Sequence, residues 1–333
     1  MTTRTQDDIQ GKAVSRFRAL LLRQETILLI IALLAVMFLA FGSDRFLTPS
    51  NLLNQGRLLT EIGLVALSMT FIIITGGIDL SVGSILGLCA IVLGVMWDPN
   101  GAFALPLEVA VGISLLVGML CGFVNGVIIV RLGVPPLITT LATLALYRGL
   151  AEGISQARSV RGYPETFYIL GQGEFLGVPT QLWVLLFFCI VTAVVLGRTI
   201  FGRALYAIGN NELGARFSGI PVGRYKIIIY TFSGLMAALA AWIFVSRVST
   251  TRSDMGSGLE LDAIAAVVLG GTSIFGGSGS IFGTIIGFIL IQLLKNGLAL
   301  SGVTTDGTIV VIGAVLILAI LVNNFIQRQS GRA

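Results

Sequence analysis

Long apolar runs joined by short polar segments make up most of this chain. Because a helix needs about 20 largely apolar residues to cross a bilayer, we interpret each run as a membrane span. The predicted spans are residues 26–42, 57–75, 80–97, 107–130, 134–153, 181–197, 227–246, 260–275, 280–300 and 306–324. The pattern therefore predicts an all-α, polytopic membrane protein of about ten transmembrane helices, in which the run at 260–275 is short.

The composition indicates that lipid is the main solvent of the chain. Hydrophobic residues make up 55% of it, charged residues only 11%, and the mean hydropathy is +0.96. Soluble domains carry about 25% charged residues, because their surfaces face water. An ordinary soluble protein is thus excluded.

The basic residues predict the orientation, because short cytoplasmic loops are enriched in lysine and arginine. They concentrate before residue 25, at Arg131, between residues 198 and 226, and at Arg328 and Arg332. If all these groups lie on the cytoplasmic side, the chain begins and ends on that side and crosses the membrane an even number of times. Both termini are then predicted to be cytoplasmic.

This orientation divides the chain into three parts. Residues 1–25 form a basic cytoplasmic segment, residues 26–325 a transmembrane domain, and residues 326–333 a cytoplasmic tail. The first apolar run lacks a small-residue cleavage site, so we expect it to be retained as a helix rather than removed as a signal peptide.

Two polar connections are long enough to contact other proteins. Residues 154–180 form an outer loop that offers a landing surface, and residues 198–226 form the longest inner loop. The basic inner loop is either a docking surface for a partner or an ordinary positive-inside anchor. Charge alone leaves both interpretations open.

Asp79 lies between two apolar runs, in the sequence Gly-Gly-Ile-Asp-Leu-Ser-Val-Gly at 76–83. An acid at membrane depth costs about 2.5–3.5 kcal/mol on insertion scales, so it faces a cavity, a partner or the interface. The glycines permit a helix break, and the next helix could be capped by the carboxylate, with Ser81 close by. Asp79 is either such a cap or a contact on a polar path.

Further polar residues lie within apolar helices. Asn125 can hydrogen-bond across helices or face a path. Thr139, Thr140 and Thr143 give the span at 134–153 one polar side.

Two acids, Glu260 and Asp262, open the run that precedes the glycine-rich segment 270–279. That segment lacks the lysine of a phosphate-binding loop. A tight hairpin between packed helices explains its glycines better. The two acids remain candidates for a polar path.

Several classes of chemistry are missing from the sequence. Histidine is absent, and the 3 cysteines, Cys89, Cys121 and Cys189, each lie inside an apolar run without metal-ligand spacing. No Gly-x-x-x-x-Gly-Lys-Ser/Thr motif occurs, so ATP cannot bind in the P-loop manner. We expect no catalytic residues, no metal and no enzyme activity, and any ATP-driven role requires a partner.

Three stretches resemble permease subunits of ribose-, rhamnose- and autoinducer-2-type sugar ABC importers, in the branched-chain amino acid and monosaccharide permease superfamily. They are GGIDLSVGS at 76–84, FGRALYAIGNNELGARFSGIPV at 201–222 and GSGLELDAIAAVVLGGTSIFGGSGSIFGT at 256–284. Their order and their predicted sides of the membrane agree with that family. The resemblance extends over roughly residues 26–325.

The resemblance implies a multi-subunit importer in the bacterial inner membrane. A second permease subunit, identical or related, would enclose a path, and a periplasmic or lipid-anchored binding protein would deliver the sugar. A cytoplasmic ATPase would hold the ATP and Mg, leaving no cofactor in this chain. The loop at 198–226 would contain the ATPase-coupling residues Gly202, Arg203, Gly209, Asn210, Asn211, Ala215, Arg216, Ser218 and Gly219.

The implied substrate is a rhamnose- or ribose-like monosaccharide or a related small polyol, with autoinducer 2 as the alternative. An ion-coupled secondary transporter and a passive channel are the rivals from other classes. The former needs ionisable relay groups at the midplane, and Asp79 is the one clear candidate. Dependence on an ATPase rather than on an ion gradient distinguishes these functions.

Overall fold

The computed structural model describes residues 37, 46–156, 158–304, 306–315 and 317. The predicted segments 1–25 and 326–333 lie outside these residues. So does the first predicted span, 26–42, apart from Met37.

Helices dominate the described part of the chain. In chain order the elements are α1 (Pro49–Ile74), α2 (Val82–Trp97), α3 (Leu107–Arg131), α4 (Pro136–Ser155), α5 (Glu165–Gln172), β1 (Glu174–Phe175), β2 (Val178–Pro179), α6 (Thr180–Arg198), α7 (Ile200–Asn210), α8 (Glu212–Phe217), α9 (Val222–Val248), α10 (Leu259–Leu269), α11 (Ile281–Leu300) and α12 (Asp306–Val315). A helix lies at every predicted span from 57–75 onward.

The all-α prediction misses one small hairpin. Strands β1 and β2 pair antiparallel, with Glu174 opposite Pro179. Between them, Leu176 and Gly177 have φ angles of 55° and 74°. Two consecutive left-handed residues form the tight turn that suits a two-residue hairpin. With α5, this hairpin gives the predicted polar loop at 154–180 a folded structure.

Five helices, α1, α3, α6, α9 and α11, are long and apolar enough to cross a membrane, judged by length and composition within the described residues. Helices α2 and α12 are apolar but shorter. The chain is thus a polytopic membrane protein built from helices.

The centre of the bundle is α1, which is buried continuously from Thr60 to Ile74. Helix α9 packs against both α1 and α3. A Cβ at Gly122 would lie 2.1 Å from the Tyr230 carbonyl oxygen, and one at Gly234 only 2.0 Å from that of Gly118. Small residues at such spacing let helix backbones touch in a membrane. This contact brings the polar side chains of α3 and α9 to the break between α1 and α2.

The span predicted at 260–275 has a different form in the structure. Helix α10 has only 11 residues, about 16 Å of helix, whereas the hydrocarbon core is about 30 Å thick. Residues 251–256 precede it as irregular backbone along α2. A Cβ at Gly94 would lie 2.8 Å from the Thr251 hydroxyl, and one at Gly83 only 2.3 Å from the Gly256 carbonyl oxygen. Since Gly83 and Gly94 are about 16 Å apart along α2, the irregular backbone runs about that far beside α2 before α10 begins. We call this backbone together with α10 the discontinuous segment.

Arg148, on α4, satisfies the carbonyl groups of this irregular segment. Its guanidinium donates to the carbonyl oxygens of Ser253, of Met255 at 3.1 Å and of Gly83 at 3.3 Å. Lipid offers no donors, so backbone at membrane depth needs protein partners of this kind. Arg148 therefore stabilises the discontinuous segment.

Candidate functional site

Asp79 is fully buried at the break between α1 and α2. Its Oδ1 accepts hydrogen bonds from the Ser81 amide at 3.0 Å and the Ser81 hydroxyl at 2.6 Å, and its Oδ2 accepts from the Ser233 hydroxyl at 3.2 Å. The bond to the amide two residues on is an Asx turn. The carboxylate therefore stabilises the backbone conformation of the break between α1 and α2 and links it to α9 by a hydrogen bond.

Asn125 extends the Asp79 cluster to α3 and α4. Its amide donates to the Ser81 hydroxyl at 2.8 Å, and the Tyr147 hydroxyl lies 3.2 Å from its Oδ1. The amide is fully buried. The structure thus brings Asp79, Ser81 and Asn125 together in one buried cluster, whereas the start of α2 has no side-chain capping hydrogen bond. Contact with a solute stays a prediction.

Thr139, Thr140 and Thr143 all lie on the buried side of α4. The Thr143 hydroxyl donates to the Thr139 carbonyl at 3.1 Å, and the Thr139 hydroxyl has no partner among the described residues. The neighbouring Thr140 donates to the Ile78 carbonyl at 3.3 Å. Thr140 is therefore the residue that links α4 to the helix break.

The predicted coupling loop folds into α7 and α8. We call the end of the bundle that carries α7, α8 and the glycine-rich segment 270–279 the basic end. A Cβ at Gly209 would lie 1.8 Å from the Ile74 carbonyl oxygen. Asn210 donates to the carbonyls of Tyr206 at 2.8 Å and Gly277 at 3.3 Å. Helix α7 is thus held rigidly against the end of α1.

Gly202 and Arg203 lie in the first turns of α7. A Cβ at Gly202 would lie 2.0 Å from the Leu196 carbonyl oxygen, so the turn from α6 into α7 requires glycine there. Arg203 is exposed. The two residues thus differ in role, one packing and one facing outward.

Helix α8 is short but capped at both ends. The Asn211 side chain accepts from the Gly214 amide at 2.8 Å, and the Ser218 hydroxyl donates to the Gly214 carbonyl at 2.9 Å. Gly219 follows with a φ of 82°, which suits glycine after a helix end. Ala215 is buried beside Ile208 and Val222. The predicted coupling residues therefore mostly build the helix.

Glu212 stabilises α8 through two ion pairs. It accepts hydrogen bonds from Arg216 and Lys226, each at 2.6 Å. Burial alone would raise the pKa of the Glu212 carboxyl, but the hydrogen bond and charge of Lys226, together with those of Arg216, lower the pKa overall below its ordinary 4.5. Both cations therefore stabilise the ionised carboxylate.

The outward face of α8 is apolar, and the sequence analysis missed it. Leu213 is 68% exposed and Phe217 is 90% exposed. They are four residues apart, so they share one face of the helix. The signal was available, because two large apolar residues with helical spacing in a basic loop outside the membrane spans are unusual.

Glu260 and Asp262 occupy the first turn of α10. Glu260 accepts from the Gly258 amide at 3.2 Å, and Asp262 pairs with Lys295 of α11. Asp262 and Lys295 line a cavity of about 670 Å³, whereas Glu260 faces Gly83. The structure thus separates the two acids that the sequence analysis grouped. Among the described residues, no cluster of three or more cysteine, aspartate or glutamate side chains could hold a metal ion.

Comparison with known proteins identifies what the chain is similar to. Residues 51–320 match the model of a family described as the branched-chain amino acid transport system / permease component. The ribose import permease protein RbsC of Bacillus subtilis is 41% identical over 86% of this chain and 89% of its own length. The autoinducer 2 import system permease protein LsrD of Photorhabdus luminescens is 39% identical over 87% of this chain and 88% of its own length. No solved structure matches the chain.

Proposed function

The chain belongs to the family of branched-chain amino acid transport system permease components, and from this we propose that it is the membrane permease subunit of an ATP-driven importer of small polar solutes. The proposal rests on the family match together with the exposed, rigidly anchored helix α8 at the basic end of the bundle. This chain is then a transporter subunit and not an enzyme.

The proposed solute is a ribose- or rhamnose-like monosaccharide or a related small polyol. The 41% identity to a ribose import permease supports this choice. Autoinducer 2 is the second candidate, because an autoinducer 2 import permease is 39% identical.

The proposed arrangement has about ten spans in the bacterial inner membrane, with the basic end and both termini in the cytoplasm. Arg131, Arg203, Arg216, Arg224 and Lys226 all belong to segments at the basic end, which supports this orientation. The predicted spans 26–42 and 306–324 complete the count.

Helix α8 is the proposed coupling element. Its exposed Leu213, Arg216 and Phe217 would enter a cleft of a cytoplasmic ATPase that binds ATP and Mg. Because α7 is packed against the Ile74 carbonyl and the glycine-rich segment, movement of α8 would be transmitted directly to α1. ATP binding by the partner would thereby tilt the helices and change which end of the path is open.

Two further partners complete the proposed machine. A second permease subunit, either another copy or a related chain, would enclose the path. A periplasmic or lipid-anchored binding protein would deliver the solute to the opposite end, where α5 and the β1–β2 hairpin form a folded surface. Arg57, on α1, pairs with Glu174 of this hairpin at 2.8 Å and would keep the surface attached to the bundle.

Uptake by cells that lack their own ribose importer tests the function. The permease is co-expressed with a candidate ATPase and binding protein, and labelled D-ribose, L-rhamnose and autoinducer 2 are supplied in turn. Uptake of one of them should require the intact ATPase and persist when an ionophore collapses ion gradients. Uptake that follows the ion gradient and ignores the ATPase would refute the importer and favour a secondary transporter.

A further inference from the structure

The 670 Å³ cavity is open on one side and lies away from the basic end. It is lined by α1, the end of α9, the irregular segment before α10, the first turn of α10, and α11. Ligand pockets in proteins typically measure about 300–1,000 Å³. The cavity is therefore large enough for a small solute.

One wall of the cavity is a continuous chain of amides. Asn51 and Asn296 exchange hydrogen bonds of 3.0 and 3.1 Å, Gln55 donates to Asn51 at 3.3 Å, and Gln292 donates to Gln55 at 2.7 Å. Gln55, Gln292 and Asn296 face the cavity. Amides within membrane helices are costly unless they face protein or a water-filled path. Each amide both donates and accepts, as hydroxyl groups do.

The charged residues of the cavity compensate one another. Glu61 lies 2.8 Å from Arg247, and the other pairs are Asp262 with Lys295 and Arg252 with Asp254. Every charged lining residue therefore has a partner of opposite sign. Such a cavity attracts neither anions nor cations by net charge. A zwitterion would have to part the partly buried pairs of Glu61 with Arg247 and of Asp262 with Lys295, which costs free energy. The pair of Arg252 with Asp254 is exposed and does not contribute to this cost.

We propose that this cavity is a solute-binding subsite of the permease itself, and that it takes a neutral polyhydroxy molecule of monosaccharide size. The amide wall would bind hydroxyl groups, and the Phe244 ring would contact the apolar face of the solute. The inference rests on the proposed function and deepens it, because the permease then contributes recognition in addition to its partners. The family description, which names amino acid transport, makes a zwitterionic amino acid the competing solute.

Solute protection of a cysteine tests the subsite without requiring transport. The full chain, in nanodiscs with its ATPase, carries Ser257→Cys, a near-isosteric change at an exposed residue of the cavity wall. Cys189 is replaced by serine, while Cys89 and Cys121 are buried. Leu176→Cys, 79% exposed in the hairpin turn, is the control.

The rate of modification by a membrane-impermeant thiol reagent is then measured with increasing D-ribose or L-leucine. D-ribose should slow the modification of Ser257→Cys at least tenfold at saturation and leave Leu176→Cys unchanged, and Gln292→Leu should weaken this protection about tenfold through the lost hydrogen bond. L-leucine should not protect. Absence of protection by D-ribose, or equal protection by L-leucine, would overturn the subsite.

The failure of this inference is distinct from failure of the proposed function. If the complete importer takes up ribose with ATP but the cysteine is not protected, only the subsite is wrong. If protection occurs but no solute is taken up at the expense of ATP, the subsite stands and the importer is wrong.

Discussion

Replacing Phe217 by alanine tests how α8 docks on its partner. The side chain is 90% exposed, so it contributes almost nothing to the stability of the permease alone. Complete burial of a phenylalanine side chain in a partner is worth about 1.5–3 kcal/mol. Phe217→Ala should therefore weaken ATPase binding by about 10- to 150-fold.

The assay is the affinity of the purified ATPase for the permease in nanodiscs, together with thermal unfolding of the permease. Phe187→Ala is the matched control, because Phe187 is 59% exposed but lies within the spanning helix α6. The control should bind the ATPase with wild-type affinity, and neither variant should change the unfolding temperature. Wild-type ATPase affinity of Phe217→Ala would refute the docking role of this face.

Three other predictions concern packing, the polar cluster and pH. Gly122→Ala places a Cβ 2.1 Å from a backbone oxygen of α9 and should destabilise the fold by about 1–3 kcal/mol. Gly112→Ala, whose Cβ would have nothing within 4 Å, is the control and should leave the stability unchanged in the same thermal unfolding assay. Asn125→Leu removes the donor to Ser81 and should cost about 1–3 kcal/mol in the same assay, so wild-type stability would contradict the cluster. The ion pairs of Glu212 should stabilise α8 at every pH above the ordinary carboxyl pKa of 4.5, and they should be lost as the pH falls through the lowered pKa of the folded state. Hydrogen exchange over residues 212–219, corrected for its intrinsic pH dependence, should therefore rise only below about pH 4.5. If exchange in the wild type did not depend on pH and matched that of Glu212→Gln, this prediction would be contradicted.

The helices were largely predictable, because lipid imposes a uniform requirement for length and apolar composition. Predicted and observed ends of α3 and α11 differ by at most one residue: 107–130 against Leu107–Arg131, and 280–300 against Ile281–Leu300. Asp79, Ser81 and Asn125 could be picked out from the sequence as path or helix-break candidates, since each is expensive within an apolar run. The structure places them in one buried cluster, and their place on a path stays a prediction.

The discontinuous segment could not be predicted from apolar composition. Its first half is irregular backbone held by Arg148, which belongs to a helix more than a hundred residues earlier. The pairing of Asp262 with Lys295 is equally nonlocal. Periodicity reports only which residues share a face of one helix, so contacts between helices remain outside its reach.

The basic loop at 198–226 was selected by its charge and its resemblance, but the exposed apolar side chains of α8 were not. The resemblance selected residues that build and cap α8, such as Asn211 and Ala215. The exposed Leu213 and Phe217 became evident only when the fold showed which side of the short helix packs against Ile208.

The central claim is that the ATPase binds at the basic end, which requires this end to face the cytoplasm. Side-specific labelling of Leu213→Cys tests this orientation most directly. Leu213 is 68% exposed, so its thiol should react freely wherever reagent reaches it. A membrane-impermeant maleimide should leave it unmodified in intact cells and label it fully in inverted membrane vesicles, where added ATPase should protect it. Labelling in intact cells would place the basic end outside and contradict the account.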